Sequence, residues 1–339
     1  MMITKTWCLP LAAEVIALFF AAIQPALATD PTPNWCEGIR IAAFPGGNEP
    51  GRGDRYSDAV YNGFRQAALD LGPTVTYYFS HWSPDEMIRD FERTIDQKVD
   101  GVVLIAFGFN AALDSLLHKA FAQGTIVISA AVELPDDEKM YSSEGMGYVG
   151  APFYDSGVAV ASEMVKRAEL KAGDTVLVWG QRAEGGEIGP YLGGITDTLK
   201  IAGVRVAFLA VDPSAYNGDV GPSAVAFSDA MSTIPGIKAV FVEHGFLTEN
   251  FALIARNLKR GPAYVVGSEL SPKALTAVKD AYLNLIADEQ PYLNGYLPIL
   301  NICLTKKFGF SGLHFNRGVL FVGPENVDAV APLVDQLIR

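Results

Sequence analysis

Short, near-continuous apolar runs alternate with helix-like segments along this chain, and that alternation constrains the fold more than any other feature. The runs GVVLIAF at 101–107 and TIVISAAV at 125–132 lack the polar alternation of a one-sided sheet. Strands of this kind are typical of parallel sheets that helices cover on both faces. After a polar segment at 135–147, which we predict to be a loop, a second series follows, with strands DTVLVW, VRVAFLAV, KAVFVE and AYVVGS. We therefore predict an α/β fold of two doubly wound parallel-sheet domains with a cleft between them.

The first 28 residues have the pattern of an export signal. Lys5 precedes an apolar stretch from Leu11 to Ile23, which ends in Ala26-Leu27-Ala28, the small-x-small pattern of a cleavage site. No later run approaches the roughly 18 to 20 apolar residues that a membrane-spanning helix needs. We predict that residues 1–28 are a cleaved signal peptide and that the mature protein is exported.

The net charge and the cysteine content restrict which classes of partner and cofactor we expect. The formal net charge is −12, which disfavours nucleic acid and anionic membranes as partners. Cys36 and Cys303 follow the predicted signal, and in an oxidising compartment they can pair or remain two separate buried thiols. No Cys/His spacing of a metal site is present, so we expect neither a metal nor a cofactor.

A glycine-containing loop follows the first predicted strand but has no nucleotide fingerprint. Gly51-Arg52-Gly53 would need a third glycine where the chain has Tyr56, and no Gly-Lys-Ser/Thr follows. Asp54 and Tyr56 end this loop at the carboxyl edge of a strand, where ligands of open α/β sheets bind. The loop therefore indicates the border of a ligand cleft.

The chain resembles the ribose-type periplasmic binding proteins of ABC importers, which have the type I fold of two α/β domains joined by three crossovers. The stretches that carry the resemblance are GFRQAALDLG, DGVVLIAF, YVGAPFYDSGVAVASEMVKR, GGITDTLKIAG, IKAVFVEHG, AYVVGSELSP and DEQPYLNGY. The resemblance implies an N-terminal domain of residues 37–150 and 290–313 and a C-terminal domain of 151–289 and 314–339. Both cysteines then lie in the first domain, which favours a disulfide.

The resemblance also implies ligand contacts in the first domain and at the first crossing. It places Tyr56 where the family stacks an aromatic ring on the ligand, with Asp54 two residues before it. Phe107 is either cleft wall or core, and Trp82 and Phe109 are further candidates. At the first crossing, the candidates that open the next helix are Phe153 and Tyr154.

Five more candidates lie farther along the chain. Arg182 and Glu187 belong to the loop after VLVWG. His244 and Glu269 follow strands at positions where the family has polar ligand contacts, and Glu289 takes the place of a ligand-binding Gln in the hinge.

One departure from the family bears on the ligand. After TIVIS many pentose and hexose binders have an Asp-Arg pair, and here the chain reads Ala130-Ala131-Val132. Unpaired carboxylates at Asp54, Glu269 and Glu289 would repel an anion. A polyol, a modified sugar or a positively charged ligand therefore fits at least as well as an ordinary aldose.

The function implied is capture of a small sugar or polyol-like solute in the cleft, with hinge closure and delivery to ABC permease subunits. We expect a periplasmic monomer without catalytic activity. Two alternatives remain: the same fold can dock on a sensor kinase or chemoreceptor, or the cleft can be an enzyme site in which Glu269 and Glu289 act as acid and base.

Overall fold

The structure is a computed structural model that describes residues 34–108, 111–182, 186, 188–256, 258, 261 and 264–339. The predicted signal peptide, residues 1–28, lies outside the described residues. Within the described part, no helix combines the length and the apolar character needed to cross a bilayer.

Strands and helices alternate from Arg40 onward, as the apolar runs predict. The strands are β1 Arg40–Phe44, β2 Thr74–Tyr77, β3 Gly101–Leu104, β4 Ile126–Ala130, β5 Gly147–Gly150, β6 Thr175–Gly180, β7 Arg205–Ala210, β8 Ile237–Val242, β9 Tyr264–Ser268, β10 Leu285–Asp288, β11 His314–Asn316 and β12 Leu320–Val322. The helices are α1 Arg55–Leu71, α2 Pro84–Asp96, α3 Ala111–Ala122, α4 Pro135–Tyr141, α5 Phe153–Arg167, α6 Pro190–Ile201, α7 Gly221–Thr233, α8 Gly245–Ala255, α9 Pro272–Lys279, α10 Pro291–Phe308 and α11 Val327–Asp335, with two 3-10 turns at Ser142–Glu144 and Pro213–Asn217.

Two six-stranded sheets organise these elements. The first has the order β11-β5-β4-β3-β1-β2, and all its pairs are parallel. The second has the order β12-β10-β9-β8-β6-β7 and is parallel except for β12. Each sheet has an apolar core on both faces, which explains the lack of alternation in the strand sequences. The predicted fold class is confirmed.

We call the first sheet with α1–α4 and α10 the first lobe, and the second sheet with α5–α9 and α11 the second lobe. The chain crosses between them after β5, after β10 and after β11. The predicted boundary at 313 falls just before β11, which pairs with β5 of the first sheet. The third crossing therefore follows Asn316.

The polar segment at 135–147, predicted to be a loop, instead contains α4 and a 3-10 turn, so that prediction was wrong. Pro135 occupies the first turn, where its missing N–H costs nothing. Asp136, Asp137 and Glu138 follow in the same turn and interact favourably with the helix dipole. The segment was predicted to be a loop because it is polar, although its proline and its acidic residues favour the start of a helix.

A disulfide joins Cys36, just before β1, to Cys303 in α10. This is one of the two pairing states that the sequence left open. Both cysteines are buried in the first-lobe core, so the bond ties α10 to the start of the first sheet.

Glycines bring α1 and α10 into backbone contact on one face of the first sheet. A Cβ on Gly63 would lie 2.1 Å from the carbonyl oxygen of Tyr292, and one on Gly295 would lie 2.0 Å from that of Val60. Neither position has room for a side chain. The contact therefore fixes α10, which arrives from the second sheet, against the helix that begins next to Asp54.

The second lobe repeats this arrangement with α5 and α6. A Cβ on Gly157 would lie 2.0 Å from the carbonyl oxygen of Tyr191, and one on Gly194 would lie 2.1 Å from that of Tyr154. The neighbouring Gly193 differs, because its Cβ would meet only the Tyr154 ring at 3.9 Å. The close contact between α5 and α6 therefore requires glycine at Gly194 but not at Gly193.

We predict opposite effects for two alanine substitutions in α6. Gly194→Ala forces the two helices apart and lowers the free energy of unfolding by about 2 kcal/mol. Gly193→Ala, the matched control, leaves the crossing intact and raises the free energy of unfolding by up to about 1 kcal/mol, because alanine restricts the unfolded chain. Urea unfolding of both variants measures the difference, and equal effects would contradict the packing described.

Candidate functional site

Asp54 fixes the loop between β1 and α1. Its carboxylate caps α1 by accepting hydrogen bonds from the Ser57 backbone N–H (3.1 Å) and the Ser57 hydroxyl (2.9 Å). It also accepts from the Trp82 indole Nε1 at 2.6 Å. A Cβ on Gly47 would lie 1.9 Å from the same carboxylate. Glycine at this position therefore makes room for the Asp54–Trp82 contact.

Trp82 forms an aromatic group with two predicted site residues. Its ring centroid lies 6.0 Å from that of Tyr56 and 5.2 Å from that of Phe107. Phe107 also packs on the first-lobe core, so it is both core and neighbour of this group. Trp82 is 41% exposed, which leaves part of the ring open to a partner.

The Tyr56 hydroxyl connects the first lobe to the crossing segments. Asn294 in α10 donates to it through Nδ2 at 3.0 Å, and Arg317 after β11 donates from Nε to Asn294 Oδ1 at 3.0 Å. Burial raises the pKa of Tyr56 above its usual range. The phenol therefore stays protonated and keeps its own hydrogen for another acceptor.

Three carboxylates follow three neighbouring strands of the second sheet. Glu243 comes after β8, Glu269 after β9 and Glu289 after β10, and these strands lie side by side. The carboxyl ends of parallel strands meet at one edge of a sheet, where α/β proteins bind ligands. These side chains are only partly exposed.

Burial and mutual repulsion hold protons on these groups. Burial raises the pKa of Glu269 to about 8, and the Glu289 charge adds to the effect. The pKa of Glu243 rises to about 7, again through burial, although the Gln181 backbone N–H donates to its carboxylate at 2.5 Å. Burial also raises the pKa of Glu289, opposed by the Arg317 charge. Glu243 and Glu269 therefore titrate near neutral pH.

Two of these residues have further structural features. Glu269 adopts a positive φ of 66°, which costs free energy for a residue with a side chain, and its Oε1 accepts from the Gly245 N–H at 3.3 Å. Asp54 contributes to the raised pKa of Glu269. The negative charge of Asp54 in the first lobe thus acts on Glu269 in the second.

His244, predicted from its strand-end position, is kept neutral, because burial lowers its pKa to about 4. Its ring stacks on Phe246 at 5.1 Å between centroids, and its Nε2 lies 3.5 Å from Glu243 Oε2. Glu243, one residue before His244, contributes to the raised pKa of Glu269, and the Glu289 charge contributes to the raised pKa of Glu243.

Other predicted residues make their contacts elsewhere in the second lobe. Phe153 packs on the core beside α6. Tyr154 is 46% exposed and its hydroxyl donates to Asp197 at 3.3 Å. Arg182 is exposed, lies over the Phe208 ring at 3.9 Å and donates to the Gly186 carbonyl at 2.7 Å. Glu187 and Phe109 lie outside the described residues.

One cavity brings three of the predicted residues together. Tyr56 from the first lobe, Glu269 from the second and Glu289 from the second crossing all line it. The complete lining is Arg55, Tyr56, Ala59, Glu269, Leu270, Asp288, Glu289, Pro291, Leu337 and Arg339. Asp288 is fully buried and pairs with Arg339, whose Nη2 lies 2.5 Å from its Oδ2. Arg339 therefore neutralises the charge of Asp288, the one carboxylate of the cavity lining that belongs to a strand.

Sequence reasoning missed four residues that surround this group. Glu243 directly follows a strand, so the rule that ligands bind at the carboxyl ends of strands would have predicted it. Tyr191, whose hydroxyl lies 3.4 Å from Ser268 Oγ, opens α6. Asn294 and Arg317 act through contacts between segments far apart in the chain, for which the local sequence offers no signal.

The family model of the periplasmic binding protein domain matches residues 50–303 of this chain. The chain belongs to the periplasmic binding protein family. This confirms the family predicted from the sequence.

Individual relatives of this periplasmic binding protein are distant. A protein of Sulfolobus acidocaldarius named xylose/arabinose-binding protein XylF is 24% identical over 228 residues, which are 64% of this chain and 54% of that protein. The chain thus spans about half the length of this curated relative.

Solved structures share the fold. A solute-binding protein of an ABC transporter from Burkholderia graminis, in complex with D-arabinose, is 17% identical with a TM-score of 0.69, covering 86% of this chain and 97% of that one. A carbohydrate transporter protein from Acidothermus cellulolyticus, in complex with myo-inositol, is 20% identical with a TM-score of 0.68, covering 89% and 99%.

The raised pKa of Glu269 predicts a pH-dependent stability. The native state retains a proton that the unfolded chain releases near its ordinary pKa of 4.5, so stability falls as the pH rises from about 5 to about 8. Glu269→Gln removes the contribution of Glu269 to this dependence, while Glu243 and Glu289 retain theirs. Relative to wild type, the variant gains at least about 1.4 kcal/mol, the free energy of one pKa unit, between about pH 5 and about pH 9.

Urea unfolding at both pH values measures the gain. Glu92→Gln, at an exposed carboxylate on α2, is the matched control and should follow the wild-type profile. An unchanged pH profile for Glu269→Gln would contradict the repulsion described.

Proposed function

We propose that this chain is an exported solute-binding protein that captures one small sugar or polyol-like ligand between its lobes and delivers it to the permease of an ABC importer. The observation that carries the proposal is the convergence of Tyr56, Glu269 and Glu289, from the first lobe, the second lobe and a crossing, on one cavity. The free volume of this cavity, about 20 Å³, holds a water molecule but no sugar, so a ligand enters only when the lobes move apart. A ligand that contacts all three favours the closed arrangement of the lobes over an open one.

The side chains near this cavity suit a polyhydroxylated ring. Trp82 and Tyr56 offer aromatic faces, which pack on the apolar faces of sugar rings. The carboxylates of Glu269 and Glu289 accept hydrogen bonds from hydroxyl groups, and the Tyr56 hydroxyl can donate one. Family membership supports binding rather than catalysis, and the ligands bound in the related structures, D-arabinose and myo-inositol, support this ligand class.

Delivery to a permease rests on the family and on related structures described as parts of ABC transporters. Export rests on the signal pattern of residues 1–28. Closure would bend the chain at its three crossings, and the one after β10 would serve both as hinge and, through Glu289, as ligand contact.

A second candidate ligand carries a protonated amine on the same kind of ring. Asp54, Glu243, Glu269 and Glu289 interact electrostatically across the cleft, and Arg317 is the cation that acts on Glu289. Partly buried carboxylates without a counter-charge are costly, and an ammonium group would offset that cost. An ammonium group would let these carboxylates release their protons, whereas an anionic sugar would add to their repulsion, so the site favours this alternative over an anionic sugar.

We expect a thermal-shift screen of the refolded protein to show stabilisation by one class among pentoses, hexoses, inositols and aminated sugars. A ligand at a hundredfold excess over its dissociation constant stabilises by about 2.7 kcal/mol. Shifts confined to aminated compounds would select the second candidate. No shift with any class, or conversion of the ligand detected by chromatography, would contradict capture without catalysis.

We expect Tyr56→Phe to weaken binding of the ligand so identified by about tenfold, the loss of one hydrogen bond. Calorimetric titration measures the affinity. Tyr154→Phe is the matched control, because its hydroxyl contacts Asp197 rather than the cavity, and it should bind as wild type does. Equal losses in both variants would argue against the assigned cavity.

A further inference from the structure

Three potential metal ligands converge on the first lobe, on helices other than those that line the cleft. Asp114 and His118 lie four residues apart on α3 and therefore share one face of the helix. Asp137 comes from the first turn of α4. One ligand atom from each lies within 4.8 Å of the others, and His118 Nε2 is 3.4 Å from Asp114 Oδ1.

The second ring nitrogen of His118 is held by a neighbouring side chain. His118 Nδ1 is hydrogen-bonded to the Tyr141 hydroxyl, and the Tyr141 ring stacks on Phe121 with centroids 4.3 Å apart. When Nδ1 carries the proton and donates it to the hydroxyl, Nε2 presents its lone pair to the two carboxylates. Metal-binding histidines are oriented in this way by a partner on the other nitrogen.

Asp137 supplies an independent observation. It is only 7% exposed, and the backbone hydrogen bond to its carboxylate comes from its own N–H. Burial of a carboxylate is costly unless a charge or several donors compensate it, and the near neighbours of Asp137 are a second carboxylate and an imidazole. A divalent cation would satisfy all three groups at once.

We propose that Asp114, His118 and Asp137 bind one divalent transition-metal ion, with water completing its coordination. One imidazole nitrogen and two carboxylate oxygens are a donor set that Zn²⁺ accepts, whereas Ca²⁺ and Mg²⁺ take oxygen ligands. Asp114 and His118 are partly exposed, so the ion can enter from solvent. The ion would link α4, whose start has no side-chain cap, to α3.

The sequence did not predict this site because only Cys/His spacings were considered. Its ligands are an Asp-x-x-x-His pair on one helix and a single Asp on the next. The third ligand becomes visible only when α4 packs beside α3.

Calorimetric titration of the untagged, chelator-treated protein with Zn²⁺ tests the site. We expect binding of one ion, which Asp114→Asn and Asp137→Asn each weaken more than tenfold. Tyr141→Phe, which removes the group that orients His118, should weaken it by about tenfold. The matched control is Asp136→Asn, an exposed carboxylate in the same turn of α4, and this variant should bind Zn²⁺ as wild type does.

Co²⁺ provides a second readout, because its visible absorption reports the coordination geometry of the bound ion. Circular dichroism checks that each variant is folded; if Asp137→Asn is not, Asp114→Asn, at a partly exposed residue, decides. Failure of the wild-type protein to bind Zn²⁺ would overturn the proposal. So would Zn²⁺ binding that is unchanged in Asp114→Asn, because the ion would then lie elsewhere, for example at His81 beside Glu49 and Glu86.

Discussion

The backbone contact between α1 and α10 is the constraint on which the site depends. The helix α10 enters the first lobe directly from the second sheet, so its position decides where Glu289 and Asn294 lie relative to Tyr56. Glycines at Gly63 and Gly295 let the two helix backbones touch. Because interiors are close-packed and yield little, a fixed crossing of two helices fixes the residues at their ends.

The cleft next to this helix contact contains buried carboxylates, whose burial and mutual repulsion cost free energy. Three neighbouring strands of the second sheet are each followed by a carboxylate, and burial raises the pKa of Glu243 to about 7 and of Glu269 to about 8. A site that is unfavourable on its own gains more from a ligand that supplies hydrogen-bond donors or positive charge. Such sites are where functional residues concentrate, because stability alone would not retain them.

The sequence predicted the features that depend on local pattern and missed those that depend on distant contacts. Apolar runs predicted both sheets, and the family resemblance of the segments that end two strands made Glu269 and Glu289 candidate contacts; both line one cavity with Tyr56. Arg317 and Asn294 were missed because their contacts join segments that only the crossings bring together. The helix α4 was missed because acidic residues in a first helical turn resemble those of a loop.

The disulfide between Cys36 and Cys303 has a mechanical consequence. It closes a covalent loop with a sequence separation of 267 residues, which contains most of both lobes. Tension applied to the two chain ends would pass through the sulfur–sulfur bond and leave the enclosed strands unextended. Outside the loop, β11, β12 and α11 follow Cys303. A pulling force would therefore detach the two strands from their sheets, together with α11, before it affects the enclosed elements. In the oxidised protein the last segment of the second lobe is therefore mechanically separable from the rest of that lobe.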